Sequence, residues 1–322
     1  MHAFIPDGLS GVTSMTVRQI FGSIVALALL SGTAHAMQKL AINYTTGESV
    51  SAFVAKDQGF FAKHGLDVDL VQMTQNSNAP AAVESGSVQV GMIQVANLLQ
   101  AADGGLDFVA IAGGADNEKG VSKFAVVVRK GLNVKGANDL VGKKVGVPGI
   151  GASIDIFFRN WLLDNNVQPS QLSILETTFL AMGDNLKSGN FDAVTPLEPF
   201  ITRITSEGVG YELVNLVDRL PRQKINALIF AAKRDWASKN DGTIKALRAA
   251  VAESDEFIRA NPAKSRQAIN KYTHVPLPIL NSLPLPAVDP ELRRADLDFW
   301  AEMMGRLHML QGKVDTAKLL WN

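Results

Sequence analysis

KLAINYTTGESVSAFVAKDQGFFAKHGLDVDL, residues 39–70, carries the strand–helix–strand pattern that decides the fold class. Residues 39–44 favour a strand, and residues 49–64 place apolar side chains at near-helical spacing. Gly65 stands where a helix is expected to end. Residues 66–73 begin with alternating apolar and acidic side chains, which is typical of a half-buried strand. The stretch therefore predicts the first unit of an α/β protein.

A second unit with the same order of elements follows in residues 144–207. VESGSVQV at 83–90 resembles LKSGNFDA at 186–193. The interval from Ala41 in the first strand to Gly86 is 45 positions. The matching interval in the second unit, from Val145 to Gly189, is 44 positions. The alternative is that the two segments match by chance, because turn residues of this kind are common between the helices and strands of α/β proteins. The repeat predicts an α/β fold of two like-built lobes, each with a mainly parallel sheet flanked by helices.

Two apolar runs that end in basic residues, 124–130 and 228–234, flank the second unit. We interpret them as strands that leave one lobe and return to it. Lobe 1 would then comprise residues 37–126 plus 230–322, and lobe 2 would be the insertion 127–229. Three further helices are predicted in the C-terminal third, at 243–260, 262–271 and 290–312.

The first 36 residues are typical of an export signal. Arg18 supplies the positive charge, residues 20–30 form a short apolar region, and Ala34-His35-Ala36 offers a cleavage site after Ala36. A retained hydrophobic anchor is the alternative, and either Met1 or Met15 is the true start. A bacterial lipoprotein needs a cysteine, and the chain has none. We therefore expect an unlipidated periplasmic protein.

Composition argues against several function classes. The chain has 31 basic and 31 acidic residues, so it lacks the positive charge that nucleic-acid binding requires. The sequence carries neither a G-x-S-x-G elbow nor a P-loop, and Gly149-Ile150-Gly151 lacks the third glycine of a dinucleotide fingerprint. The histidines after residue 36, at 64, 274 and 308, lack metal-binding spacing. We predict no catalytic residue, metal or cofactor.

Polar loops remain at the predicted carboxyl ends of the strands, where ligands bind in open α/β sheets. They belong to both halves of the repeat, so they are expected to face one another. The candidate ligand-binding residues are Tyr44, Thr45, Thr46, Asn76, Ser77, Gln94, Gly149, Gly151, Ala152, Ser153 and Glu198.

Three of these candidates have structural alternatives. The Gly149–Ser153 loop leads into a helix N-terminus and is suited to an anion, but Ser153 alternatively only caps that helix. Glu198 either accepts hydrogen bonds from a ligand or only favours the first turn of the next helix. Tyr44 either stacks on a ligand or packs in the core.

Four segments resemble a known family: FVAKDQGFFAKHGLDV at 53–68, ESGSVQVG at 84–91, LVGKKVGVP at 140–148, and Glu198-Pro199. The chain resembles the nitrate/sulfonate/taurine and thiamine-pyrimidine (NMT1-like) family of type II periplasmic binding proteins, over most of residues 39–235. The family often has an aromatic residue where this chain has Leu197, which puts ligand stacking at that wall in doubt.

The resemblance implies a two-lobed receptor that closes on a small polar or anionic ligand, such as a sulfonate, taurine, nitrate or a pyrimidine. The family's ligand contacts correspond to Thr45, Asn76, Gln94, Ser153 and Glu198. The expected partners are the ligand and, transiently, the permease of an ABC-type importer, with the receptor itself a monomer. The alternatives are an enzyme of the thiamine-pyrimidine type and the sensor domain of a transcription regulator.

Overall fold

The computed structural model describes residues 37–45, 47–73 and 75–321. The predicted signal segment and cleavage site therefore lie outside the described residues. The strands are β1 Gln38–Tyr44, β2 Leu66–Gln72, β3 Gly91–Gln94, β4 Phe108–Glu118, β5 Ala125–Arg129, β6 Lys144–Val147, β7 Ser173–Glu176, β8 Ala193–Val194, β9 Gly210–Asn215, β10 Lys224–Lys233 and β11 Ala287–Val288.

The helices alternate with these strands and then dominate the C-terminal third. They are α1 Val50–Asp57, α2 Phe60–Lys63, α3 Ala79–Ser85, α4 Val95–Asp103, α5 Ser153–Asp164, α6 Phe179–Ser188, α7 Phe200–Ser206, α8 Arg234–Lys239, α9 Asp241–Ala260, α10 Pro262–Thr273, α11 Leu277–Asn281 and α12 Arg294–Arg306. Among the described residues, no helix combines the length and apolar character that a bilayer crossing needs.

The predicted α/β class is confirmed, but the sheets are mixed rather than mainly parallel. One sheet has the strand order β11-β4-β10-β3, a second has β7-β6-β8-β5-β9, and β1 pairs with β2 alone. Of the strand pairs between described residues, three are parallel and five antiparallel. Two antiparallel pairs arise because the long strand β10 returns against β4 and β3, two because β5 runs against β8 and β9, and one because β11 runs against β4. Apolar periodicity carries no information on strand direction.

Two segments, residues 119–124 and 216–223, join the two larger sheets, and we call them the crossing segments. The predicted lobe boundaries at 126/127 and 229/230 fall inside β5 and β10, each of which belongs to a single sheet. The division of the chain into two lobes stays a prediction.

The repeat is visible in the local geometry. Gly86 ends α3 and Gly189 ends α6, with φ angles of 79° and 77°, a left-handed conformation that glycine adopts without strain. The first predicted helix is interrupted, because Gly59 at φ 74° separates α1 from α2. The last predicted helix is shorter than expected, since α12 begins at Arg294 and ends at Arg306.

Strand β4 extends six residues beyond its predicted end at Ala112. The extension contains Gly113, where an added Cβ would lie 2.2 Å from the carbonyl oxygen of Asp289. Only a residue without a side chain permits this approach. The extension carries Asp116 and Asn117, both buried, to the junction with the first crossing segment.

Asp255 of α9 is fully buried, and its Oδ1 accepts a 2.6 Å hydrogen bond from Ser51 of α1. Burial raises the pKa of Asp255 to about 7, an effect that Asp289 and Asp116 reinforce and that Ser51 and Arg259 oppose. Because the folded-state pKa lies above the unfolded value, the folded state binds the proton more tightly between about pH 4 and 7. Stability is therefore greatest at the acidic end and falls as pH rises through this window.

We expect Asp255→Asn to flatten the fall in stability between pH 5 and pH 8, because asparagine has no charge to desolvate. Part of the slope remains, since burial also raises the pKa of Asp116 to about 6. Urea unfolding at the two pH values measures the effect. Glu256→Gln, at the exposed neighbouring position, is the control. An unchanged slope in Asp255→Asn would contradict the assignment.

Candidate binding cleft

A cavity of about 150 Å³ lies where the first crossing segment leaves the four-stranded sheet. Its walls come from β4, β10, the first crossing segment, the turn after β8, the loop before β11 and the short helix before α1. The lining residues are Glu48, Ala115, Asp116, Asn117, Val121, Ser122, Lys123, Phe124, Leu197, Glu198, Ala227, Leu283, Pro284, Leu285 and Pro286. The volume is below the roughly 300–1,000 Å³ of pockets for drug-sized ligands, so a small solute fits best.

A hydrogen bond joins the two sheet units beside this cavity. Ser153 Oγ, on the first residue of α5, donates to Gln94 Oε1 at 3.1 Å. Gln94 ends β3 and lies opposite Leu228 of β10, next to cavity-lining Ala227. One turn after Ser153, Phe157 packs 5.9 Å from the ring of cavity-lining Phe124. The predicted contacts Gln94 and Ser153 therefore bond to each other close to cavity-lining residues, although neither lines the cavity itself.

The loop before α5 already uses two of its backbone donors within the protein. The N–H of Ile150 donates to Glu176 Oε1 and that of Gly151 to Asp155 Oδ2, both at 2.8 Å. Asp155 is buried and also accepts from Arg159 Nε at 2.8 Å. Because carboxylates occupy these donors, the structure argues against an anion held by the N–H groups of residues 150 and 151.

The capping role considered for Ser153 is not the one observed. Ala152, in an extended conformation, precedes the helix as its N-cap, and Ser153 is already helical. The Ser153 hydroxyl donates away from its own helix, to Gln94. The hydrogen bond to Gln94 therefore orients the Ser153 hydroxyl.

Glu198 lies at the cavity wall in the turn that leads into α7. Its carboxylate accepts hydrogen bonds from the backbone N–H and hydroxyl of Thr202, both at 3.1 Å. Lys123 Nζ lies 3.8 Å from it and 2.8 Å from Glu212. Glu198 thus supports the start of α7 and also borders the cavity, so both roles considered for it are compatible with its position.

Comparison with known proteins identifies the family of the chain. Residues 47–265 match the family described as NMT1/THI5 like. The chain belongs to the NMT1/THI5-like family. A Brucella abortus protein named as a binding protein is 29% identical over 230 residues, covering 71% of this chain and 69% of that protein. The taurine-binding periplasmic protein of Escherichia coli is 23% identical over 236 residues, covering 70% of each.

The fold of this NMT1/THI5-like chain is that of periplasmic binding proteins. The crystal structure of the periplasmic aliphatic sulphonate binding protein SsuA from Escherichia coli matches with a TM-score of 0.74 at 20% identity. The match covers 88% of this chain and 97% of that protein. A Haemophilus influenzae protein whose name links it to thiamine biosynthesis is 24% identical over 268 residues, 80% of each chain.

The other predicted site residues that the structure describes lie in different parts of it, away from the cavity wall. Tyr44 is buried, with its ring 5.0 Å from that of Phe53 and its hydroxyl donating to the carbonyl of Tyr272 at 3.3 Å, so it packs in the core. Ser77 is exposed and borders a separate groove between α3 and α4. Thr45 is half-buried at the end of β1. Thr46 and the side chain of Asn76 lie outside the described residues.

Sequence reasoning missed Glu48, Asn117 and Lys123 at the cavity. Glu48 follows the predicted loop 45–47 directly, so a search extended by one residue would have found it. Asn117 was missed because the strand was expected to end at Ala112, although an Asp-Asn-Glu run after an apolar stretch is a signal of a polar strand end. Within the described residues, no group of three or more His, Cys, Asp or Glu side chains is arranged to hold a metal ion.

Proposed function

We propose that the protein is a periplasmic substrate-binding receptor that delivers a small polar or anionic ligand to an ABC-type permease. Sulfonates, taurine, nitrate, related organic anions and pyrimidines are the candidate ligands. The hydrogen bond from Ser153 to Gln94 carries this proposal, because it joins the start of α5 to the end of β3, close to cavity-lining Ala227 on the neighbouring strand β10. The names of the relatives support the location and the class of ligand.

The proposed mechanism is hinge closure about the crossing segments. Phe124 and Leu197 form a bridge between the first crossing segment and the turn after β8, both at the cavity wall. Small changes in backbone angle there would move the five-stranded sheet relative to the four-stranded one. A ligand that contacts both units favours the closed state by its differential affinity. The closed receptor, as a monomer, then docks on the permease.

Binding to small solutes tests this proposal. We expect at least one of taurine, ethanesulfonate, nitrate, β-alanine and 4-aminopyrimidine to bind saturably in calorimetric titration and to raise the melting temperature. Gln94→Ala and Ser153→Ala should each weaken binding by roughly two- to tenfold, the value of one hydrogen bond. The double variant should lose less binding free energy than the two single variants lose together, because both changes remove the same contact.

Ser87→Ala is the matched control, since the Ser87 hydroxyl is exposed and hydrogen-bonds at 2.9 Å to that of Ser85, away from the cavity. It should leave affinity unchanged. Failure of all five solutes to bind, or an equal loss in Ser87→Ala, would count against a receptor with this cleft.

An enzyme of the thiamine-pyrimidine type remains the alternative, favoured by the name of the Haemophilus influenzae relative. The fungal pyrimidine synthases of this fold carry a cysteine-rich motif, and this chain has no cysteine. Mass spectrometry for a newly formed pyrimidine after incubation with candidate precursors distinguishes the two functions. A receptor forms none, whereas a synthase releases the pyrimidine as its product.

A further inference from the structure

Acidic side chains dominate the charged part of the cavity wall. Glu48, Asp116 and Glu198 line it, against a single basic residue, Lys123. The Lys123 ammonium is already paired, at 2.8 Å from Glu212 and 3.8 Å from Glu198. A ligand anion entering the cavity therefore meets no unpaired cation among the lining residues.

The three acids differ in what neutralises them. Asp116 accepts from Asn226 Nδ2 at 2.8 Å and pairs with Arg293 at 3.0 Å. Glu198 accepts two hydrogen bonds from Thr202. Glu48 has no ion pair or side-chain hydrogen bond in the described part of the chain, and burial alone raises the pKa of its carboxyl. Glu48 is therefore the acid among the three whose carboxyl group is open to a hydrogen bond from a ligand.

Asn117 provides a second, independent sign of a ligand. Its side chain is 3% exposed and lines the cavity, and its Nδ2 is buried without a hydrogen-bond partner. Buried amide donors in folded proteins are nearly always satisfied, so this group is suited to an acceptor that enters from outside. An oxygen of a small solute would satisfy it.

We propose that the cleft selects small solutes bearing both a protonated amine and an oxygen acceptor, with Glu48 binding the amine and Asn117 Nδ2 the oxygen. This inference rests on the proposed receptor function and narrows its ligand class to zwitterionic or amine-bearing compounds. A carboxylate and an amide donor on one small cavity match opposite ends of such a molecule. Inorganic anions such as nitrate lack the group that Glu48 would hold.

Matched solute pairs test the proposal on the full chain. Taurine and β-alanine carry the amine, whereas ethanesulfonate and propionate are their amine-free counterparts. We expect each amine to bind at least about tenfold tighter than its counterpart, the effect of one charge-assisted hydrogen bond. Glu48→Gln should bring the ratio close to one, and Asn117→Ala should weaken both members of a pair alike.

Glu118→Gln is the matched control, because Glu118 is a neighbouring acid on β4 that does not line the cavity. It should leave the ratio unchanged, and circular dichroism of every variant checks folding. Amine-free anions that bind equally well or better, with Gln94→Ala weakening them, would overturn the amine preference while the receptor function stands. Binding of nitrate alone would likewise overturn the amine preference and leave the receptor function standing. If these pairs, nitrate and 4-aminopyrimidine all fail to bind, the receptor function fails and this inference fails with it.

Discussion

Trp300→Ala is expected to lower the free energy of unfolding by about 3–5 kcal/mol, the cost of truncating a large buried aromatic side chain. Trp300 is fully buried in α12, and its ring lies 5.3 Å from that of Phe157 on α5. Its Nε1–H donates to the carbonyl of Asn226 at 2.8 Å. The substitution would therefore leave a large void and an unpaired carbonyl beneath the binding cleft.

Urea unfolding measures this loss of unfolding free energy from the midpoint and slope of the transition. Trp300→Phe keeps most of the ring but removes the donor, so it should lie between the wild type and the alanine variant. Trp236→Ala, at a half-buried position, is the control and should cost less. A loss below about 1 kcal/mol in Trp300→Ala would show that the core does not depend on this contact.

Arg293→Met is expected to destabilise the protein by about 3 kcal/mol, because it removes the cation that three buried carboxylates share. Lys224 still pairs with Asp289 and lies 3.8 Å from Asp116, and Arg222 still pairs with Asp296, which limits the loss. Arg293 lies 3.0 Å from Asp116, 2.6 Å from Asp289 and 2.9 Å from Asp296. All three acids are buried, with side chains 0–10% exposed. The guanidinium thereby joins the C-terminal segment to β4 at the floor of the cavity.

The loss should depend on pH. Burial raises the pKa of Asp116 to about 6, and the positive charge of Arg293 opposes that rise. Without Arg293 the pKa of Asp116 rises further, so ionised Asp116 destabilises the variant more than the wild type. The difference in stability between the two proteins should therefore be larger at pH 8 than at pH 5, where protonation relieves the unpaired charge.

Arg294→Met, at the neighbouring position that begins α12, is the matched control. Arg294 is exposed and lies 3.7 Å from exposed Asp298, a surface pair worth about 0–1 kcal/mol. Equal losses in the two variants, or a loss in Arg293→Met that does not change with pH, would contradict the role assigned to Arg293.

Both substitutions bear on the cleft as well as on stability. Asn226 links them, since its carbonyl accepts from Trp300 and its amide donates to Asp116. Asp116 and Ala227 line the cavity on either side of this residue. The C-terminal helix α12 therefore supports the cavity floor, although it lies beyond the family match, which ends at residue 265.

The sequence was sufficient for the fold class. Strand and helix periods are local properties, and the two glycine turns at Gly86 and Gly189 mark the repeat without any tertiary information. Gln94 and Ser153 stay predicted ligand contacts, chosen because ligands of α/β proteins bind at the carboxyl ends of strands. Their contact spans 59 positions, but each residue is recognisable from its own strand or helix end.

Tertiary structure alone decided the strand directions, the burial of Tyr44 and the polar groups of the cavity. Arg293 reaches Asp116 across 177 positions, and no local pattern relates the two. Asn117 is a candidate ligand donor only because its amide is buried without a partner, and burial depends on how distant segments pack. Local sequence sets which elements form, whereas the charge and size of the cavity depend on residues brought together from β4, β10 and the C-terminal third.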